Sequence, residues 1–194
     1  MSHTHPFKRY VNKNILPEDM TGLTVLDCGC GRGNWAFFMR TEKAGIPHVT
    51  GFDLYGPYVE KLKRLDLYEE LFQLDIRDVE TLEKKFDIIM AMDVLEHIEK
   101  DEALKVIKTL EEMSESLLIV SLPIGFQRQG IGDDGNPFQV HLSGFTQREM
   151  RALGYETKNF MRFTRTINFV QRVRCFLLGL SFDRGRFIAW KRFK

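Results

Sequence analysis

The chain has 194 residues, of which 43% are hydrophobic and 28% are charged, and its net charge is +1. This composition supports one substantial hydrophobic core and excludes the fibrous and disordered classes. No apolar run approaches the ~20 residues that a membrane-spanning helix needs, and residues 1–14 lack the apolar segment of a secretory signal. We therefore expect one domain over residues 1–194 and a cytoplasmic location.

The cysteines indicate neither a disulfide nor a metal site. A single glycine separates Cys28 from Cys30, which is too close for an ordinary mutual disulfide, and three cysteines are too few for a structural zinc site. We expect both to be small buried hydrophobic residues.

Charge is distributed unevenly along the chain. Residues 148–194 hold 12 Lys and Arg against 3 Asp and Glu, a balance of +9, whereas residues 1–147 hold 16 against 24, a balance of −8. Within the basic part, residues 163–185 place apolar residues at helical spacing and predict a basic amphipathic insertion. Such a helix can pack on its own domain, or it can face nucleic acid or an anionic membrane surface, which is the less common use.

From residue 24 onward, short β-branched or apolar runs alternate with helical patterns. This alternation is typical of a parallel sheet with helices on both faces. The predicted strands, all interpreted as buried, are residues 24–28, 48–53, 70–74, 86–92 and 117–122. The predicted helices between them are residues 35–43, 57–65, 79–84 and 101–113.

A long segment rich in glycine and turn-forming residues, residues 123–145, follows the fifth predicted strand. Loops of this length in compact domains are usually functional or disordered. In a parallel sheet this loop would lie over the carboxyl ends of the strands, where ligands bind. A short helix at 146–153 and strands at 156–162 and 186–192 complete the predicted elements.

A glycine-rich loop joins the first predicted strand to the first predicted helix. Gly29, Gly31 and Gly33 let a ligand approach the backbone, and free N–H groups at the helix start favour a carboxylate or phosphate. Two features argue against a dinucleotide: the spacing is GxGxG rather than GxGxxG, and Asp27 would repel a pyrophosphate. S-adenosylmethionine fits better, because it offers an ammonium group to Asp27 and a carboxylate to the helix N-terminus.

Two further acidic residues end predicted strands. Asp53 lies 20 residues after Gly33, where it can accept hydrogen bonds from ribose hydroxyls. Asp75 closes the third strand, where it can accept a hydrogen bond from the exocyclic amine of adenine. Leu54 and Ile76 are placed to enclose the adenine ring.

With these motifs, residues 21–155 resemble the class I S-adenosylmethionine-dependent methyltransferases. The matching segments, in family order, are residues 27–33, Asp53, Asp75 and residues 86–98. The resemblance implies a Rossmann-like three-layer α/β sandwich with a mostly parallel seven-stranded sheet, whose last strand, 186–192, is antiparallel. It also implies S-adenosylmethionine as cofactor and S-adenosylhomocysteine as product.

The resemblance supplies the remaining cofactor contacts. Met92 and Asp93 would end the fourth strand beside the methionyl part of the cofactor, and residues 1–20 would fold over it as an N-terminal cap. Trp35 follows the glycines, where core packing is its alternative role. The full predicted cofactor set is Tyr10, Asp27, Cys28, Gly29, Cys30, Gly31, Asn34, Trp35, Asp53, Leu54, Asp75, Ile76, Met92 and Asp93.

Methyl transfer from a sulfonium is an in-line displacement that needs no metal, so positioning can supply up to about 7–11 kcal/mol. A base is needed only where the acceptor must lose a proton. The candidate bases are His97, four residues after Asp93, and His141 in the 123–145 loop. The alternatives are a hydrogen bond from His97 to Asp93 at a helix start, and a turn-stabilising role for His141.

The sequence therefore predicts methyl transfer to an acceptor selected by the 123–145 loop, and we expect that acceptor to be a small molecule. One alternative is a methyltransferase acting on RNA or another macromolecule through the basic C-terminal surface. The other is a nucleoside-cofactor-binding protein without transferase activity.

Overall fold

The computed structural model describes residues 6–131, 135–160 and 185–193. Their seven strands form one sheet in the order β3-β2-β1-β4-β5-β7-β6. The first five strands are parallel to one another, and β7 is antiparallel to both of its neighbours, which confirms the predicted fold class. The strands are β1 (Thr24–Cys28), β2 (His48–Asp53), β3 (Glu70–Gln73), β4 (Phe86–Met92), β5 (Ser114–Pro123), β6 (Glu156–Phe160) and β7 (Arg186–Arg192).

Helices cover both faces of the sheet. Alternate residues of a strand point to opposite faces, so Leu26 and Ile89 join one hydrophobic cluster while Val25 and Ile88 join the other. The first cluster includes α4 and α5, and the second includes α1 and α2. The described α-helices are α1 (Pro6–Asn14), α2 (Asn34–Glu42), α3 (Gly56–Leu62), α4 (Lys100–Met113) and α5 (Gln147–Ala152).

Two local predictions differ from the structure in more than their bounds. The prediction that all five early strands are buried is wrong for β3, whose residues are half-buried or exposed because β3 forms one edge of the sheet. The helix predicted at 79–84 is instead a 3-10 helix, Ile76–Leu82, which begins earlier because the Asp75 side chain accepts a hydrogen bond from Arg77 N.

Some predicted features lie outside the described residues. These are residues 1–5 of the N-terminal cap, residues 132–134 of the 123–145 loop, residues 163–184 of the basic insertion and the last two residues of the strand predicted at 156–162. Among the helices that the structure describes, none has both the length and the apolar character that crossing a bilayer requires.

The strand order determines where a ligand can bind. β1 lies between β2 and β4, and the chain leaves the carboxyl ends of β1 and β4 toward opposite faces of the sheet. Such a reversal opens a crevice outside the strand ends, which is the usual ligand site in doubly wound sheets. The glycine loop after β1 and the segment after β4 both begin at this crevice.

Candidate active site

The three glycines after β1 all have left-handed backbones, with φ of 61° at Gly29, 55° at Gly31 and 75° at Gly33. Their surroundings differ. A Cβ on Gly29 would lie 2.6 Å from Val94 Cγ2, and one on Gly33 would lie 2.7 Å from Leu62 Cδ2. A Cβ on Gly31 would have the Gly29 carbonyl oxygen as its nearest neighbour, at 3.9 Å. Gly31 is therefore the point where a ligand can approach the backbone closely.

The N-terminus of α2 faces this loop without a side-chain cap. Its N-cap is Gly33, so the first-turn N–H groups of α2 remain suited to an anionic group. Lys8 of α1 adds a cation here, because its Nζ donates to the Asn34 carbonyl oxygen at 3.2 Å and lies 5.1 Å from the centre of the Trp35 ring. Burial lowers the pKa of Lys8, and the charge of Asp27 opposes that shift.

Asp27 lies at the same loop but inside the sheet, with only 1% of its surface exposed. Its Oδ2 accepts a hydrogen bond from the Tyr68 hydroxyl at 2.8 Å. Burial raises the pKa of Asp27 to about 7, although the bond from Tyr68 opposes the increase. Gly51 makes room for this partner, since a Cβ there would lie 2.5 Å from Tyr68 Cε1. A cationic ligand group beside Asp27 would favour its charged form.

Asp53 connects the end of β2 to the glycine loop. Its Oδ2 accepts a hydrogen bond from Gly31 N and its Oδ1 accepts one from Tyr55 N, both at 2.8 Å. Burial raises its pKa, and the two backbone donors oppose that effect. Each carboxylate oxygen has a second lone pair, so the predicted contact with ribose hydroxyls remains available in this geometry.

Asp75 is engaged mainly by Arg77. Its Oδ1 accepts from Arg77 N and Nε, both at 3.0 Å, and its Oδ2 accepts from Arg77 Nη2 at 2.6 Å. These bonds hold the pKa of Asp75 below its usual range. The predicted adenine contact of Asp75 stays a prediction. Beside it, Ile76 is buried and Leu54 is half-buried, as residues that enclose a ring would be.

Several other predicted cofactor residues are part of the core. Cys28 and Cys30 are buried free thiols whose pKa values burial raises, which confirms the expectation that they are buried. Trp35 is buried, and its ring packs edge-on against Phe7 and Phe38 at centroid distances of 6.0 and 5.8 Å.

Tyr10 faces away from the glycine loop toward the last two strands. Its ring lies 5.5 Å from that of Phe160 and 6.2 Å from that of Trp190. The described contacts thus bring Lys8, rather than Tyr10, from α1 to the start of α2. The cofactor contact of Tyr10 stays a prediction. Lys8 was missed because the sequence does not show which face of α1 packs on α2.

At the end of β4, Met92 is buried and Asp93 has a left-handed backbone with φ of 59°. Asp93 Oδ1 accepts from Ser121 Oγ at 2.7 Å, and its Oδ2 accepts from Arg186 Nη1 at 2.5 Å. No local sequence pattern indicates these partners. Ser121 is 28 positions away on β5, and Arg186 is 93 positions away on β7.

Hydrogen bonds connect the 123–145 loop to a 3-10 helix, Leu95–His97, that follows β4. The Glu96 carbonyl oxygen accepts from Leu142 N at 2.8 Å and from Ser143 N at 3.1 Å. The Leu95 carbonyl oxygen accepts from Ser143 Oγ at 3.2 Å. The loop is therefore held against the segment that leaves the carboxyl end of β4.

The two predicted bases lie together across this connection, with ring centroids 5.0 Å apart. His97 Nδ1 lies 3.1 Å from the Val140 carbonyl oxygen, and His141 Nδ1 lies 2.6 Å from the Gln127 carbonyl oxygen. A carbonyl oxygen can only accept, so each Nδ1 carries a proton, and in a neutral ring of this tautomer the lone pair is on Nε2. Burial lowers the pKa of His97, which favours its neutral form.

The sheet, and the glycine loop with acidic residues at the ends of β1 and β2, define a Rossmann-like fold of the class I methyltransferase type. Residues 25–116 match the family model described as a methyltransferase domain.

A similar curated protein is the chloroplastic magnesium protoporphyrin IX methyltransferase of Arabidopsis thaliana, 31% identical over 113 residues. The match covers 55% of this chain, which spans about a third (35%) of the length of that relative.

Similar solved structures share the fold at low identity. The magnesium protoporphyrin IX methyltransferase of Synechocystis PCC 6803 with bound S-adenosylhomocysteine has a TM-score of 0.62 at 18% identity, covering 97% of this chain and 80% of that one. An S-adenosylmethionine-dependent methyltransferase from Archaeoglobus fulgidus has a TM-score of 0.59 at 18% identity, covering 96% of this chain and 93% of that one.

The first two glycines of the loop, Gly29 and Gly31, give a test of its geometry. Gly29→Ala should lower the free energy of unfolding by more than Gly31→Ala, because both incur about 1–2 kcal/mol for a left-handed backbone and only the first also meets Val94. Urea unfolding of both variants measures the difference. Equal losses would contradict the close approach of Gly29 to Val94.

Asp27→Asn should stabilise the ligand-free protein. Folding raises the pKa of Asp27 from 3.8 to about 7, so the wild type loses stability as the pH rises from about 4 to 7, and it loses no more above that. The variant lacks this loss, so at pH 8 its free energy of unfolding should exceed that of the wild type by at least about 1 kcal/mol. Urea unfolding of both proteins at pH 5 and pH 8 measures the gap, which should widen with pH; a constant gap would contradict the raised pKa.

Proposed function

We propose that the protein binds S-adenosylmethionine at the glycine loop and transfers its methyl group to a small-molecule acceptor. The observation that carries this proposal is the opposite polarity of two groups at one loop. Asp27 offers a buried carboxylate, while the uncapped start of α2 and the ammonium of Lys8 offer positive charge. These groups match the ammonium and carboxylate of an amino acid tail.

The chain's own residues would position this cofactor. The open side of Gly31 admits it to the backbone, and Asp53, adjoining the same loop, accepts from the ribose hydroxyls. Met92 and Asp93 lie at the end of β4, on the other side of β1, toward the acceptor. When bound, the sulfonium supplies an activated methyl group, and the residues around it need mainly to align the acceptor.

His97 and His141 are proposed to serve acceptors that must lose a proton. Each ring has an Nε2 lone pair fixed by its own Nδ1 hydrogen bond, and a neutral imidazole can accept a proton near pH 7. His97 follows β4 and His141 lies in the 123–145 loop, so both rings lie where an acceptor would meet the methyl group.

A small acceptor is supported by the way the 123–145 loop is held. Its bonds to Leu95 and Glu96 hold the loop against the segment that leaves the carboxyl end of β4. The two magnesium protoporphyrin IX methyltransferases are named for a small-molecule substrate. A cytoplasmic location stays a prediction from the sequence.

A macromolecular acceptor such as RNA is the second candidate, and the +9 balance of residues 148–194 favours it. Binding of this kind weakens steeply as salt displaces phosphate contacts. Association with total RNA that persists at low salt and disappears with rising salt, together with labelled-methyl incorporation into that RNA, would select this candidate over the first.

Calorimetry with S-adenosylmethionine, S-adenosylhomocysteine and NAD tests the cofactor assignment. We expect the first two to bind and NAD not to bind; binding of NAD alone would overturn the proposal. Incubation of a small-metabolite extract with labelled S-adenosylmethionine then tests transfer. Cofactor binding without label in any product would favour the non-catalytic binding protein.

Asp53→Ala should weaken cofactor binding by about tenfold or more, since losing a charged hydrogen-bond acceptor costs about 1.5–3 kcal/mol. Titration calorimetry with S-adenosylhomocysteine measures this change. Asp101→Ala, an exposed carboxylate in the first turn of α4, is the matched control and should bind like the wild type. Unchanged affinity in the Asp53 variant would remove Asp53 from the site.

Cofactor affinity should also depend on pH through Asp27. Its carboxylate must be charged to hold an ammonium group, and its pKa is about 7 without ligand. Binding should therefore be about tenfold weaker at pH 6 than at pH 8. Asp27→Asn should bind more weakly throughout and lose this dependence. If the affinity of the two proteins changed equally with pH, the pH dependence would come from a group other than Asp27.

A further inference from the structure

Glu96 carries a buried carboxylate that the methyl-transfer proposal does not use. Only 1% of its surface is exposed, and its Oε2 has no hydrogen-bond partner among the described residues. Buried polar atoms are nearly always paired, and a buried charge without a partner is costly. An unpaired oxygen at this depth indicates that a ligand completes its environment.

The surroundings of Glu96 supply two further ligand atoms. Glu96, His97 and His141 each offer one possible metal-ligand atom, and these three atoms lie within 4.8 Å of one another. Both imidazoles donate their Nδ1 proton to a backbone carbonyl, at Val140 and Gln127. Such bonds orient metal-binding histidines and leave Nε2 free to coordinate.

We propose that Glu96, His97 and His141 bind a divalent transition-metal cation. Two imidazoles and one carboxylate suit Zn²⁺ and also Mn²⁺, Fe²⁺ or Co²⁺. Asp93 is not part of this cluster of ligand atoms, and its two carboxylate oxygens accept from Ser121 and Arg186. Three protein ligands leave at least one coordination position open, as in catalytic rather than structural sites.

The open position gives the cation a role at the acceptor, and this role rests on the proposed function. The bound cation occupies the Nε2 lone pairs of His97 and His141, so it replaces the base role proposed for these two residues. The ligands lie after β4 and in the 123–145 loop, on the acceptor side of the crevice. A cation there binds an acceptor oxygen or nitrogen, orients it and polarises it. The site therefore selects acceptors with a metal-binding donor atom, in contrast to the metal-free transfer expected from the sequence.

The binding test uses the full chain, stripped of metal with a chelator, and titrates it with Zn²⁺, Mn²⁺ and Co²⁺ in separate calorimetry runs. His3→Ala and His5→Ala form the background in every protein, so that the N-terminal histidines contribute nothing. We expect one equivalent of at least one cation to bind, and Co²⁺ to produce a visible absorption band upon binding.

Glu96→Gln and His141→Ala should each weaken this binding by at least tenfold and remove the Co²⁺ band. His48→Ala, an exposed histidine at the start of β2, is the matched control and should bind like the background protein. His141 is half-buried, so its variant remains informative if Glu96→Gln fails to fold. The proposal is overturned if no cation binds or if His141→Ala binds like the control.

Titrating S-adenosylhomocysteine into the same metal-stripped protein separates this proposal from the proposed function. Cofactor binding without metal binding would overturn the metal site alone. Metal binding without cofactor binding would overturn the proposed function and leave the site in place.

Discussion

The burial of one carboxylate at the end of β1 shapes much of the site. Moving the Asp27 carboxylate out of water is costly, and its raised pKa reflects that cost. The Tyr68 hydroxyl partly offsets this cost by donating a hydrogen bond to Asp27. The Tyr68 ring fits there because Gly51 has no side chain. The ligand-free protein therefore carries a buried carboxyl group, and a cation bound at the glycine loop would favour its charged form.

The acceptor side follows a different constraint, because it is assembled from segments distant in the sequence. Backbone hydrogen bonds hold the 123–145 loop against Leu95 and Glu96, and these bonds bring His141 beside His97. On the same side, Arg186 of β7 reaches Asp93 at the end of β4. The antiparallel final strand thereby contributes a charge to the site as well as a neighbour to β5.

The two sides meet at β1, where the order of the strands in the sheet reverses. The glycine loop leaves β1 toward α2, and the chain after β4 leaves toward α4 on the opposite face. A cofactor bound along the ends of β1 and β2 would present its reactive end toward β4. In the proposed function, separate elements would control cofactor binding and acceptor choice, which would let one fold serve different acceptors.

The sequence by itself determined the features that local chemistry controls. Buried parallel strands read as apolar runs, so β1, β2 and β4 were predicted with their observed bounds. The positive φ of Gly29, Gly31 and Gly33 follows from a requirement that mainly glycine meets without strain.

Only the tertiary structure decided which distant side chains meet. The pairing of Tyr68 with Asp27 spans 41 positions, and the packing that creates it leaves no periodic signal. The edge position of β3 depends on strand order, which an apolar run does not encode. Likewise, Glu96 reads as an ordinary charged residue until the fold removes its carboxylate from water and places it beside two histidines.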